Sequence, residues 1–163
     1  MKIFYFIFTL FLMLSCKGIS QDEKSEQKKN YVVIKSEEEW KEQLPKMAYY
    51  VLRKAGTERA FSGPLNYIKS KGLYVCAGCQ APLYKSKYKF DSGTGWPSFD
   101  RGIEENLEYD VDYNIGYPRS ELKCSKCGGH LGHMFNDGPK DTTGKRHCIN
   151  SAALNFIPTD DKS

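Results

Sequence analysis

The chain has 163 residues, which is enough for one domain with short flanking segments. Hydrophobic residues make up 40% of it, so a single core of modest size is possible and a large one is excluded. The net charge is +4, from 24 basic and 20 acidic side chains spread along the chain, and this balance gives no reason to expect a nucleic-acid partner.

The first sixteen residues have the composition of an export signal rather than of a folded segment. Lys2 gives a positive start, and residues 3–14 are apolar apart from one Thr. At ~1.5 Å rise per residue this run is too short to span ~30 Å of hydrocarbon. The run ends in Leu14-Ser15-Cys16, which resembles the lipobox at which a bacterial lipoprotein is cleaved and acylated. An ordinary cleaved signal that happens to contain a Cys is the alternative.

The segment that follows, residues 17–30, is polar and charged without periodicity, as is typical of a flexible tether. A tether directly after an acylated Cys would hold a soluble domain away from a membrane surface. The sequence therefore predicts a signal peptide over 1–16, a tether over 17–30 and a folded domain over 31–163. The predicted location is the bacterial cell envelope, with the exported protein anchored to the membrane by a lipid on Cys16.

Two short helices are predicted at the start of the domain. Ser36 and Glu39 have the spacing of a capping box, which predicts a helix over 37–43 that ends before Pro45. A second helix is predicted over 46–54.

From Gly63 onward, Gly and Pro recur every 8–12 residues between short aromatic or β-branched runs, a pattern typical of an antiparallel β domain. These runs lie at 73–75, 83–84, 88–90, 107–111 and 149–157.

Four of the six cysteines form two Cys-x-x-Cys knuckles of identical spacing, Cys76/Cys79 and Cys124/Cys127. Two such knuckles can place four thiolates around one zinc ion at ~2.3 Å. Closing the loop between them costs only ~3 kcal/mol, whereas a structural zinc contributes on the order of 10 kcal/mol or more. The knuckles therefore predict one structural zinc ion. The alternative is redox-active pairs, which an oxidising compartment favours.

Cys148 has no such partner, and a lone Cys in a β segment is more often a small buried hydrophobe than a nucleophile. Its neighbours favour reactivity. On a strand, Arg146, Cys148 and Asn150 share one face, while His147 and Ile149 point to the other. A guanidinium two residues away is expected to lower the pKa of the thiol. We therefore predict that Cys148 is reactive and that His147 faces away from its site.

Three segments resemble the signatures of B-type methionine sulfoxide reductases: residues 93–99, 130–139 and 146–151. The two knuckles lie where zinc-bearing members of that family have theirs, and the resemblance covers residues 36–158. It implies a mainly β fold, the β-tent, with two antiparallel sheets, short N-terminal helices and a structural zinc at the end away from the active site. It also implies an enzyme that reduces the R epimer of methionine sulfoxide in proteins and peptides, and so repairs proteins after oxidative stress.

The resemblance also implies roles for individual residues. Cys148 attacks the sulfoxide sulfur, and two histidines, predicted to lie in a Gly-flanked loop, help to protonate the departing oxygen. Other side chains shape the site, and an aromatic wall receives the substrate methyl group. The residues are Cys148, His130, His133, Arg146, Asn150 and Asp137 as catalytic, and Trp96 and Phe135 as substrate-binding. On the residues alone, Trp96 could equally be a core aromatic, and the histidines could be metal ligands.

Thr94 departs from the family pattern, because many members have a resolving Cys there that captures the sulfenic acid formed on the nucleophile. With four cysteines on zinc and Cys16 acylated, the chain has no second free thiol. An external, thioredoxin-like reductant on the same side of the membrane is therefore expected, and the protein is expected to be a monomer.

Two other function classes are compatible with parts of the sequence. A binding module on the same zinc-stabilised scaffold accounts for the knuckles but not for the Arg-x-Cys-x-Asn face or the paired histidines. A zinc-dependent carbon–sulfur lyase would need cysteines that bind a catalytic metal. A Cys148 variant that keeps its zinc content but loses activity would argue against both the binding module and the lyase.

Overall fold

The computed structural model describes residues 30–159. The predicted signal peptide, Cys16 and nearly all of the tether lie outside the described residues, as does the end of the C-terminal tail. Within the described part, neither helix has the length and apolar character needed to cross a membrane.

Both predicted helices are confirmed with their predicted bounds, α1 at Glu37–Gln43 and α2 at Lys46–Lys54. Ser36 Oγ accepts a hydrogen bond from the Glu39 N–H, and the Glu39 carboxylate accepts one from the Ser36 N–H. The capping box therefore satisfies two N–H groups that the first turn would otherwise leave without partners. The second helix ends at Ala55, which adopts the left-handed conformation common at helix C-termini.

Nine strands follow the helices in the described part of the chain. They are Gly72–Cys76 (β1), Pro82–Lys85 (β2), Lys89–Phe90 (β3), Ser98–Phe99 (β4), Leu107–Asp112 (β5), Arg119–Cys124 (β6), His130–Phe135 (β7), Arg146–Ile149 (β8) and Leu154–Pro158 (β9). One sheet has the order β2-β1-β9 and the other β3-β4-β8-β7-β6-β5, with antiparallel pairing throughout. The predicted mainly β fold of two antiparallel sheets with short N-terminal helices is confirmed.

The predicted run over 149–157 is wrong as a single strand. Strand β8 ends at Ile149, a short 3-10 helix spans Ser151–Ala153, and β9 then joins the other sheet. The N–H groups of Ser151 and Ala152 donate to the buried Glu58 carboxylate instead of to a neighbouring strand. These hydrogen bonds to a residue far away in the chain end the strand, and no local sequence pattern predicts the break.

The prediction that His130 and His133 lie in a loop is also wrong, because both lie on strand β7 between β6 and β8. The glycine between them, Gly132, does not mark a turn. A Cβ there would collide with the carbonyl oxygen of Cys148, so the glycine permits a close approach of β7 to β8.

A single hydrophobic cluster joins the two helices to both sheets. Its aromatic centre is Phe99 on β4, which stacks on Tyr84 of β2 with ring centroids 4.3 Å apart. Phe99 also meets Tyr74 of β1 edge-on at 5.0 Å. Because each of these rings is fully buried, the contacts hold the small sheet against β4. Strand β4 is in turn paired with Cys148 of β8, so the core fixes the position of the reactive segment.

Candidate functional site

The structure brings the four knuckle cysteines together, with all four sulfurs within 4.8 Å of one another. Cys76 Sγ lies 3.8 Å from Cys127 Sγ, and Cys79 Sγ lies 3.5 Å from Cys124 Sγ. A disulfide requires ~2.05 Å, whereas a tetrahedron with ~2.3 Å metal–sulfur bonds separates its sulfurs by about 3.8 Å. The four thiols therefore fit one zinc ion and do not form two disulfides.

The two knuckles also share a backbone conformation. The N–H of Gln80 donates to the carbonyl of Cys76, and the N–H of Gly128 donates to the carbonyl of Cys124, each four residues after the first ligand. Both donors have left-handed φ values, 62° and 70°. Equal spacing in the sequence thus produces two equivalent turns, each of which directs a pair of thiols to the same point.

A second site is a cavity of about 110 Å³ above strands β7 and β8, which is large enough for the end of a side chain but too small for a larger ligand. None of the knuckle cysteines lines it. Its lining is Thr57, Trp96, Arg119, Gly132, His133, Phe135, Cys148 and Asn150. Five of the residues singled out in the sequence are in this set. Trp96 is half-buried at the cavity wall rather than in the core.

Cys148 lies on β8, paired with Ser98 of β4 on one side and His133 of β7 on the other. Burial raises the pKa of its thiol, and the charge of Arg146, together with hydrogen bonding to Arg146 and to Thr94, offsets only part of that rise. The expected influence of Arg146 is present, but the expected lowering of the pKa is wrong because desolvation outweighs it. Cys148 is therefore a thiol at rest.

Arg146 and Asp137 form a bidentate ion pair, with Nε and Nη2 of the guanidinium 2.9 and 2.8 Å from the two carboxylate oxygens. The guanidinium also lies over the Phe135 ring, 4.5 Å from its centroid. Asp137 does not line the cavity. It fixes the side chain that contacts the Cys148 sulfur, and Arg146 in turn lowers the pKa of Asp137.

The two histidines have different positions. His133 lines the cavity, and its Nε2 lies 2.8 Å from Asp112 Oδ2. His130 lies behind it, with ring centroids 5.2 Å apart, and its Nδ1 is 2.6 Å from Glu121 Oε1. The other ring nitrogen of His130 is buried and has no hydrogen-bond partner among residues 30–159. Each ring is therefore oriented by a carboxylate, as is usual for a histidine that exchanges a proton.

Burial and the charge of Asp112 shift the pKa of His133 in opposite directions. Burial lowers the pKa of His133, although Asp112 works in the opposite direction. Burial also raises the pKa of Asp112, but hydrogen bonds from Asn114, His133 and Arg119 outweigh this and bring it to about 2. Asp112 is thus ionised at any physiological pH, and His133 is held mostly neutral.

Several residues of this site are not recognisable from the sequence. Asp112 and Arg119 face each other at the ends of β5 and β6, and their ion pair places Arg119 at the cavity. Glu121, on β6, supports His130. None belongs to a recognisable chemical motif, and only strand pairing brings them to the histidines.

Glu58 is a further missed residue, buried beneath the cavity at 5% exposure. Its backbone N–H donates to Asn150 Oδ1, and its carbonyl accepts the indole N–H of Trp96 at 3.2 Å. Its carboxylate accepts the N–H groups of Ser151 and Ala152. One residue thereby connects the wall of the cavity to the segment that follows β8.

We expect Glu58→Ala to destabilise the domain by about 2–4 kcal/mol, because two buried N–H groups lose their acceptor. Glu58→Gln keeps an amide oxygen in place and should recover part of this loss.

Burial raises the pKa of Glu58 despite the two backbone hydrogen bonds. The folded state therefore favours the protonated carboxyl group. The contribution of this group to the free energy of unfolding is complete below its unfolded-state pKa and is lost as the pH rises through its folded-state pKa. Urea denaturation at several pH values measures both effects, and equal stability of the Ala variant and the parent would contradict them.

The fold thus carries a four-cysteine cluster that could hold one zinc ion and a separate small cavity lined by the Cys148 thiol. A SelR domain model matches residues 44–158. The chain is 52% identical over 128 residues to peptide methionine sulfoxide reductase MsrB of Leptospira interrogans. The matched region covers 78% of this chain and 97% of that protein. It is 55% identical over 127 residues to the MsrB of Methanosarcina barkeri, covering 76% of this chain and 87% of that one. Mouse mitochondrial methionine-R-sulfoxide reductase B3 is 48% identical over 134 residues, covering 82% and 53%. The chain therefore belongs to the SelR domain family of B-type methionine sulfoxide reductases.

Proposed function

We propose that this protein reduces the R epimer of methionine sulfoxide in oxidised proteins and peptides to methionine, with Cys148 as the nucleophile. The observation that carries this proposal is the small cavity in which the Cys148 thiol, the Trp96 ring and His133 meet. The test is an assay on separated R and S epimers of a methionine sulfoxide peptide. Turnover of the R epimer alone is expected, and turnover of the S epimer alone would refute the proposal.

Cys148 enters the reaction as a thiol, because burial raises its pKa. The sulfur attacks the sulfoxide sulfur, the sulfur–oxygen bond of the substrate breaks, and the oxygen is transferred to Cys148. The thiol proton ends on that oxygen, so methionine leaves and a sulfenic acid remains. Because the oxygen is a poor leaving group without a proton, an acid–base group beside it accelerates the step. His133 is an acid–base group that lines the cavity, and His130 packs against its ring from behind.

The remaining side chains position the reactants. The Trp96 and Phe135 rings offer apolar surface to the methylthio end of the substrate. Arg146, fixed by Asp137, places a positive charge next to the sulfur as negative charge develops. Asn150 donates to the Leu131 carbonyl and accepts from Glu58, which holds the end of β8 in place.

Recycling of the sulfenic acid requires an external reductant, for which a thioredoxin-like dithiol is the proposed source. Thr94 Oγ1 lies 3.9 Å from Cys148 Sγ, so a thiol at this position would lie within reach. Thr94→Cys should therefore form a disulfide with Cys148, with loss of water, after one equivalent of substrate. In the parent chain, dimedone should trap the sulfenic acid and no intramolecular disulfide should form.

Mass spectrometry of the two chains after a single turnover distinguishes these outcomes. Substitution of Thr142 by Cys, in an exposed turn, is the matched control and should give no disulfide to Cys148. A disulfide between Cys148 and a knuckle cysteine in the parent chain would show that the zinc and redox roles are not separate.

The location is proposed from the sequence alone. We propose that residues 1–16 are a lipoprotein signal, that Cys16 is acylated, and that 17–30 tether a monomeric domain of residues 31–163 to the cell-envelope membrane. Cys16→Ala should abolish labelling with a fatty-acid probe and move the protein from the detergent phase to the aqueous phase. An uncleaved full-length chain in the cytosol would contradict this location, and sedimentation of the purified domain tests the monomer.

A further inference from the structure

Three hydroxyl groups form a continuous chain that ends at the sulfur of Cys148. Thr94 Oγ1 lies 3.9 Å from Cys148 Sγ and 2.8 Å from Ser92 Oγ. Ser92 Oγ lies 2.7 Å from Ser98 Oγ, and Ser98 Oγ lies 3.2 Å from the carbonyl oxygen of Trp96. Ser98 is fully buried on β4, directly opposite Cys148 in the strand pairing. The chain therefore runs from the reactive sulfur back to the peptide that carries the Trp96 ring.

The carbonyl at the far end sets the direction of every bond in the chain. A carbonyl only accepts, so Ser98 donates its proton to Trp96 and must accept from Ser92. Ser92 in turn accepts from Thr94, and the Thr94 oxygen is then left to accept from the Cys148 S–H. Each hydroxyl has one proton, so this direction is the only one that keeps all four contacts. It suits a protonated Cys148, which has a proton to donate.

A thiolate requires the opposite direction, because it can only accept. Thr94 must then donate to the sulfur, Ser92 to Thr94 and Ser98 to Ser92. The reversal gives up the 3.2 Å bond to the Trp96 carbonyl, which is the longest of the oxygen–oxygen contacts, and gains a hydrogen bond to a charged sulfur. Charge-assisted bonds are roughly twice as strong as neutral ones, so the exchange favours reversal once the proton leaves.

We propose that Thr94, Ser92 and Ser98 form a reversible hydroxyl chain that points away from Cys148 while it is a thiol and donates to its sulfur when it becomes the nucleophile. Thr94, which contacts the reacting atom, is then a catalytic residue, and Ser92 and Ser98 are positioning residues. The inference rests on the proposed function in that Cys148 is taken as the nucleophile.

Other charged groups near Cys148 act beside this chain. Arg146 on β8 contacts the sulfur and is paired with Asp137. His133 on β7 and Arg119 on β6 line the same cavity. In the described part of the structure, the three hydroxyls hydrogen-bond to one another, to Cys148 and to the Trp96 carbonyl, and to none of these four residues. Substitution of Thr94, Ser92 or Ser98 therefore leaves the ion pairs of these four residues in place.

The test measures alkylation of Cys148 by iodoacetamide in the full zinc-containing chain, as a function of pH, with mass spectrometry of the peptide that contains Cys148. This readout does not require reductase activity, so it stays informative even if the R-sulfoxide assay fails. Thr94→Val should slow alkylation near neutral pH by about ten-fold, because the thiolate loses its donor. Thr94→Ser should restore most of the rate. Ser98→Ala should accelerate alkylation by roughly three-fold, because Ser92 is then free to donate towards Thr94.

A double-substitution cycle separates this account from simple packing. In the Thr94→Val background, Ser98→Ala should no longer change the alkylation rate. The exposed Thr142→Val is the control and should match the parent chain. A decrease in rate for Ser98→Ala, or the same acceleration with and without the Thr94 hydroxyl, would overturn the proposal, as would an unchanged rate in Thr94→Val.

Discussion

Cys148→Ser is expected to reduce the turnover of the R sulfoxide by at least about a thousand-fold, because a serine hydroxyl cannot replace the thiol as nucleophile at neutral pH. The substitution exchanges one atom at a half-buried position. The Arg146–Asp137 pair and the neighbouring strands do not depend on that atom. The free energy of unfolding should therefore change by less than about 1 kcal/mol.

The experiment combines epimer-specific turnover with metal analysis and thermal unfolding. Zinc content equal to that of the parent, together with lost turnover, separates this enzyme from a binding module and from a lyase with a catalytic metal. Lys145→Ala, at the position just before the same strand, is a suitable control, since within the described residues its ammonium donates to Asn136 and lies outside the cavity. Near-normal turnover in Cys148→Ser would refute the proposed mechanism.

Cys124→Ser is expected to have the largest effect on folding. Cys124 ends β6, is fully buried, and starts the second knuckle. A structural zinc contributes on the order of 10 kcal/mol, which is comparable to the ~5–15 kcal/mol net stability of a typical domain. A site with three sulfurs holds the metal much more weakly, so the variant should lose zinc and unfold at ambient temperature rather than only turn over more slowly.

Metal analysis and circular dichroism of the purified variant test this expectation. Ser125→Ala, between the two ligands of the same knuckle, is the matched control and should keep both zinc and fold, because the hydroxyl makes a single exposed hydrogen bond within the described residues, to the Glu105 carbonyl. A folded parent chain that contains two disulfides and no zinc would contradict the assignment. Chelation of the parent chain should reproduce the effect of Cys124→Ser.

The features that the sequence predicted well are those set by near neighbours. The capping box of Ser36 and Glu39 fixed the start of α1, because both hydrogen bonds close within one turn. The alternation along β8 placed His147 on the far face, where its Nδ1 lies 3.4 Å from the Tyr84 hydroxyl in the core. The equal spacing of the knuckles predicted a four-sulfur cluster, since each knuckle is a local turn.

The features that the sequence did not predict depend on residues far apart in the chain. Glu58 interrupts the strand after Ile149 from more than ninety positions away, and its effect has no local signal.

By itself, then, the sequence determined the four-cysteine cluster, the two helices and the face of β8 that carries Cys148, because ligand spacing, capping and strand alternation are short-range properties. Only the tertiary structure decided how those residues behave. Strand pairing supplied Asp112 to His133 and changed a predicted loop into β7. Strand pairing and the residues around the cavity bury Cys148, and this burial raises its pKa despite Arg146, because desolvation depends on every neighbour in space and not only on those adjacent in the chain.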